Sequence, residues 1–158
     1  MNRQQALAVI WKRLLIVLLG MLVIITLIIL FGPTFKVGPL VFLIGNVGGY
    51  VSAQRSLASL TDNEVIGLAS SWHGLIVPPL VGGILSLVLY VLFISKLIGG
   101  DVFPSFESDA NARQDFSALI YQHAKGGLED YAKLCFWAFV AGFNQNYAVD
   151  LINAVRNK

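Results

Sequence analysis

Between Leu14 and Phe35 the chain carries no charged residue, and from Leu14 to Phe31 it is an almost unbroken run of Leu, Ile and Val. About 20 such residues, rising 1.5 Å each, traverse a hydrocarbon core of roughly 30 Å. The run therefore predicts a first transmembrane span over residues 14–31, stopped by the helix-breaking pair Gly32-Pro33. Composition agrees: 56% of the 158 residues are hydrophobic and 13% are charged, against about 25% charged in an ordinary soluble domain. Too little charge is present to cover a water-soluble globule. A net charge of +2 from 11 basic and 9 acidic residues is too balanced for a nucleic-acid-binding surface, so no nucleic-acid partner is expected. The single cysteine, Cys135, excludes an internal disulfide framework and a thiolate-clustered metal site.

Arg3, Lys12 and Arg13 precede the first span, with Trp11 beside them, and the positive-inside rule places the N-terminus in the cytoplasm. A secretory signal peptide fits less well, because the apolar run exceeds the usual ~7–15 residues and no small-x-small cleavage site follows. A second uncharged stretch, residues 37–54, reads VGPLVFLIGNVGGYVSAQ and predicts the return arm of a helical hairpin. Gly45, Gly49 and Ala53 lie four apart in it, as do Gly48 and Ser52, which stacks small residues on one helical face where another backbone approaches closely. Two occupants fit that face: the chain's own neighbouring spans, or a second copy.

After Arg55 a mixed segment is expected in the cytoplasm or along the membrane surface, with Thr61 or Asp62 capping a short helix and Glu64 in its first turn. Trp72 and His73 fall where an interfacial anchor belongs. The third span is predicted over residues 75–98, opened by Pro78-Pro79 in its first turn. Gly82 and Ser86 repeat the small four-residue spacing, with Gly83 beside them, and Lys96 snorkels to the far interface. Residues 99–130 form a polar outer segment. In it Ser108 or Asp109 caps an expected helix whose apolar face carries Phe116, Leu119, Ile120 and His123. A fourth span is expected over residues 131–149, with an amphipathic surface helix as the alternative, because Asn144, Gln145 and Asn146 require partners or an interfacial position. The fold class is thus all-α, one polytopic membrane domain over residues 1–158 with four transmembrane helices and a short helical outer segment.

The sequence contains no H-E-x-x-H, G-x-S-x-G or Walker loop. Its two histidines fall at or outside the expected interfaces, and its acidic residues lie in loops or near helix ends. No catalytic, cofactor-binding or metal-ligating residue is assigned, and the expectation is a non-enzymatic protein without cofactors. The alternative is a small transporter or a pore formed between copies. Asn46 and the cluster Asn144, Gln145 and Asn146 supply the polar groups for such a path.

Three blocks of the sequence resemble a group of small bacterial inner-membrane proteins of unknown biochemical role. They are G-x-x-G-G-x-V-S from Gly45 to Ser52 followed by Arg55-Ser56-Leu57; Pro79-Leu80-x-Gly82 with Tyr90 eight residues on; and Ala141-Gly142-Phe143 followed by Asp150-Leu151-Ile152. The family pattern continues A-G-F with Ser-Glu-Arg, where this chain has Asn144-Gln145-Asn146. The resemblance implies a bacterial inner-membrane location and supplies no activity.

The expected role is a self-associating membrane subunit that anchors or signals to a cytoplasmic protein partner, as in a stress or phage-defence module. Its assembly residues would be Gly45, Gly48, Gly49, Ser52, Ala53, Gly82 and Ser86. Its partner surfaces would be residues 55–74 and the C-terminal residues 147–158.

Overall fold

The computed structural model describes residues 2–31, 37–107 and 123–145. The expected turn at Gly32-Pro33, the cap at Ser108 or Asp109 with Phe116, Leu119 and Ile120, residue Asn146 and the surface at 147–158 lie outside them. Among the described residues the chain is mostly helical: α1 (Arg3–Phe31), α2 (Val37–Leu57), α3 (Asp62–Ser70), α4 (His73–Ile94) and α5 (Leu128–Phe143), with one antiparallel pair, β1 (Phe106–Glu107) and β2 (His123–Ala124). This agrees with an all-α class. Two of these helices, α1 and α4, are long and apolar enough to cross a membrane.

Helices α2, α4 and α5 form the body of the molecule. α4 runs antiparallel to the other two, so that Val37 and Val41 of α2 meet Tyr90 and Phe93 of α4 and Leu134 and Ala138 of α5 in one hydrophobic cluster. Phe103 and Phe106 fold back over this end. Phe106 meets the Tyr90 ring edge-on, with centroids 5.7 Å apart, and Phe103 lies between Phe93 and Trp137 at 5.7 and 5.0 Å. The Trp137 indole N–H donates to the Val102 carbonyl at 3.0 Å. At the opposite end, Ala6, Ile10 and Leu14 of α1 pack with Tyr50, Leu57, Val65, Ala69 and Leu75. Between the two clusters lies a waist of glycines.

Several boundaries differ from the sequence reading. α1 begins at Arg3 rather than at the apolar run, because Ala6, Ile10 and Leu14, spaced four apart, give its first third a buried face of their own. α4 begins at His73, which places Pro78 and Pro79 inside the helix instead of in its first turn. Both lack the amide that would bond back to the preceding turn. α4 also ends at Ile94, four residues before the expected limit. Lys96 there adopts a left-handed φ of 57°, with Lys96 N–H donating to Phe93 O at 3.0 Å and Leu97 N–H to Leu92 O at 3.1 Å. That pair of bonds is a Schellman stop, a position glycine normally fills. His123 belongs to β2, opposite Glu107, and not to a helical face. α5 runs to Phe143 with Asn144 as its C-cap, and the expected fourth span past Gln145 lies outside the described residues. The 16 residues of α5 extend about 24 Å.

α3 forms where the capping signal stands. The Thr61 backbone N–H and Oγ1–H both donate to the Glu64 carboxylate, at 2.8 and 2.7 Å, a capping-box arrangement that satisfies the helix start. These bonds, the hydroxyl's first, hold the Glu64 carboxyl below the usual carboxylate range. A carboxyl with a lowered folded pKa stabilises the fold above its unfolded pKa, and the contribution vanishes as pH falls through the folded value. Protection of the first-turn amides of α3 against hydrogen exchange should therefore be constant near neutrality and fall below about pH 4. In Glu64→Gln that acid-side loss should shrink. Equal loss in both proteins would assign the pH response to another group.

Candidate functional site

The small residues picked out in α2 converge on α4 and α5. A Cβ at Gly45 would run into Ser86 and meet the Gly82 carbonyl oxygen at 2.6 Å. At Gly49 it would meet Pro78 O at 2.6 Å and Pro79 Cα at 2.9 Å. Gly49 thus gives room to the stretch of α4 that carries its two prolines. Gly48 faces the other way: its Cβ would run into the Phe139 carbonyl and lie 2.8 Å from Phe143 N. From α4, a Cβ on Gly82 would meet Gly45 O at 2.5 Å and Gly49 N at 3.0 Å. All these obstacles except Ser86 are backbone, which cannot swing aside. The two tracks of glycines on α2 therefore serve two different helices of the same chain.

Gly142 of α5 completes the waist, since its Cβ would collide with the Gly45 carbonyl and approach Gly45 Cα at 3.0 Å. Gly83 takes Asn46 and the Phe42 ring, whose nearest carbon would lie 2.6 Å away. Sequence reasoning passed over Gly142 as a packing residue. The signal was available: Leu134, Ala138 and Gly142, all buried, repeat the four-residue spacing read in α2.

The polar candidates separate. Asn46 is buried and donates its amide to the Phe42 carbonyl of its own helix at 2.7 Å. Ser86 is buried and donates to Gly82 O at 2.6 Å. Ser52 is buried too, whereas Ala53 is only half-buried. Gln145 is buried, and its Oε1 has no hydrogen-bond partner among the described residues. Asn144 is exposed. It lies at one end of an open apolar groove of about 340 Å³ between α4 and α5, lined by Leu85, Val88, Leu92, Trp137 and Ala141 among others.

A second arrangement joins α1 to α3. Arg3 pairs with Asp62 at 2.9 Å. Arg13 donates to the Ala69 carbonyl at 2.7 Å, at the C-terminal end of α3 where carbonyls lack helical partners. The same guanidinium lies 4.8 Å from the centre of the Trp72 ring, within cation–π range. Trp72, expected only as an interfacial anchor, thus also orients the arginine that fastens α1. Beyond Leu14 the attachment thins: Leu18 still packs against that cluster and Val17, Met21 and Ile25 continue its face half-buried, whereas Leu15, Ile16, Leu19, Leu22, Val23, Ile24 and Leu27 are exposed around the rest of the helix. α4 likewise exposes Ile76, Val77, Leu80, Val81, Ile84, Val88 and Val91.

Comparison with known proteins adds no relative. No protein-family model, no curated protein and no solved structure matches the chain. Among the described residues no three His, Cys, Asp or Glu side chains converge in a way that would hold a metal ion.

Proposed function

We propose that this chain is a non-enzymatic integral membrane subunit that associates with copies of itself and anchors or signals to a cytoplasmic partner. The observation that carries the reading is α1. A helix fastened to its own fold along one face of its first half, and apolar with most of its surface exposed thereafter, is unstable in water and at home in lipid. α4 exposes a similar apolar face. α2, with 21 residues, is about 31 Å long and packs glycine to glycine along α4, so it crosses with α4. α5 supplies the start of a fourth crossing, and the sequence stays uncharged from Leu134 to Val149. The basic residues Arg3, Lys12 and Arg13 orient the N-terminus to the cytoplasm, and the resemblance noted above supports a bacterial inner membrane.

On this orientation α3 lies on the cytoplasmic side, with Val65 and Ala69 turned to α1 and Asp62, Asn63, Glu64 and Ser70 exposed. That polar face is the partner surface. The pore reading has less support, because the Asn46 amide is spent on its own helix and sealed beside Gly83.

Mild crosslinking in native membranes, followed by affinity purification and mass analysis, tests the proposal. A soluble protein recovered in fixed ratio, and lost on reversing the charges of Asp62 and Glu64, is the expected result. Recovery of copies of this chain alone would redirect attention to a pore and to ion flux in liposomes. Recovery of neither would overturn the reading.

A further inference from the structure

The groove between α4 and α5 ends on an amide in an unfavourable place. Gly45 touches both Gly82 and Gly142, so Gly142 and the adjoining Asn144 stand level with the centre of α4, which runs from His73 to Ile94. On the membrane reading above, Asn144 is at mid-depth in the bilayer. Its side chain makes no hydrogen bond with any described residue, it is exposed, and the groove walls around it are almost wholly apolar. Lipid tails offer an amide nothing, and an unsatisfied polar group in hydrocarbon is costly. A covering surface must bring both a donor and an acceptor to that depth.

We propose that the occupant is a second copy of this chain, docked through the same groove about a two-fold axis, so that the two Asn144 amides bond to each other. An amide carries donor and acceptor together, so two copies related by such an axis satisfy both without any other partner. The groove also has the shape for it. Leu85, Val88 and Leu92 on one wall, with Trp137, Ala141 and Asn144 on the other, follow helical spacing of three and four over two turns, leaving a valley a helix ridge can enter. The small side chain of Ala141 lets backbones approach closely at the level of the amides. The α2 glycines cannot serve this purpose, being covered by α4 and α5.

This inference rests on the membrane reading and names the surface through which copies meet. It is tested with full-length protein in native membranes, in a Cys135→Ser background, with one new cysteine at a time. Ala141→Cys should form an oxidant-dependent disulfide dimer, and Leu22→Cys on exposed α1 should not. In proteoliposomes diluted with lipid, Asn144→Leu should raise the monomer–dimer dissociation constant by roughly 3- to 30-fold, the range measured for interhelical polar contacts. Asn144→Gln should recover most of the loss. Crosslinking at Leu22 but not at Ala141 would overturn the groove while leaving self-association in place. A monomer at every lipid dilution would overturn both. Unchanged dimerisation of Asn144→Leu alongside an Ala141 crosslink would remove the amide pair from the proposal.

Discussion

Replacing Gly49 with leucine should destabilise the helical body by about 3 kcal/mol or more, at the upper end of what overpacking costs. The reason lies in what the new side chain would meet. Its Cβ alone would stand 2.6 Å from the Pro78 carbonyl oxygen and 2.9 Å from Pro79 Cα, and proline backbone has little freedom to retreat. α2 and α4 would have to separate, opening the contacts of Gly45 with Ser86 and Gly142 as well. Gly20→Leu on α1 is the matched control, since no described residue lies within 4 Å of a Cβ there. The comparison is read from the midpoint of denaturation in mixed micelles, followed by near-ultraviolet circular dichroism. An intact monomer of normal stability that no longer self-associates would instead show that Gly49 faces another copy.

How far the sequence foretold this arrangement depends on whether a feature is local. The apolar runs announced α1 and α4 because solvent transfer acts residue by residue. Thr61 with Glu64 three positions on announced α3, whose capping bonds close within one turn. Four-residue spacing marked Gly45, Gly48, Gly49, Gly82 and Ser86 as contact residues, but spacing describes a single helix and says nothing of which helix occupies the face. That depends on the meeting of α2, α4 and α5, residues far apart in the chain. The β1–β2 pair was illegible for a related reason: two residues per strand are too few to show alternation, and Phe106–Ala124 pairing is a long-range event. The close of α5 at Asn144, its C-cap, was not legible from charge, which is absent as far as Val149. An asparagine side chain competes for backbone groups and favours caps. The role of Arg13 was hidden because a basic residue beside a span reads as a topology signal whatever else it holds.

Truncating Ile10 to alanine should cost about 2–5 kcal/mol, whereas Leu22→Ala on the same helix should change the stability of the fold by less than about 0.5 kcal/mol. Ile10 is 0% exposed and Leu22 is 47% exposed, so the two substitutions remove similar volume from opposite situations. Ile10 packs with Tyr50, Leu57, Val65, Ala69 and Leu75, and a cavity there loosens α3 together with α1, weakening the Arg13 bond to Ala69 and its contact with Trp72. Hydrogen exchange in α3 should accelerate in Ile10→Ala and stay unchanged in Leu22→Ala. The size of the Ile10 effect also locates the cluster relative to the membrane. If the first third of α1 stands in water, burial carries the full hydrophobic term. In hydrocarbon that term disappears, because lipid solvates isoleucine as well as protein does, and only the packing loss remains. A cost near 1 kcal/mol would therefore place Ile10 within the bilayer, move Arg13 and Trp72 inward with it, and overturn the assignment of α3 to the cytoplasmic side as a partner surface.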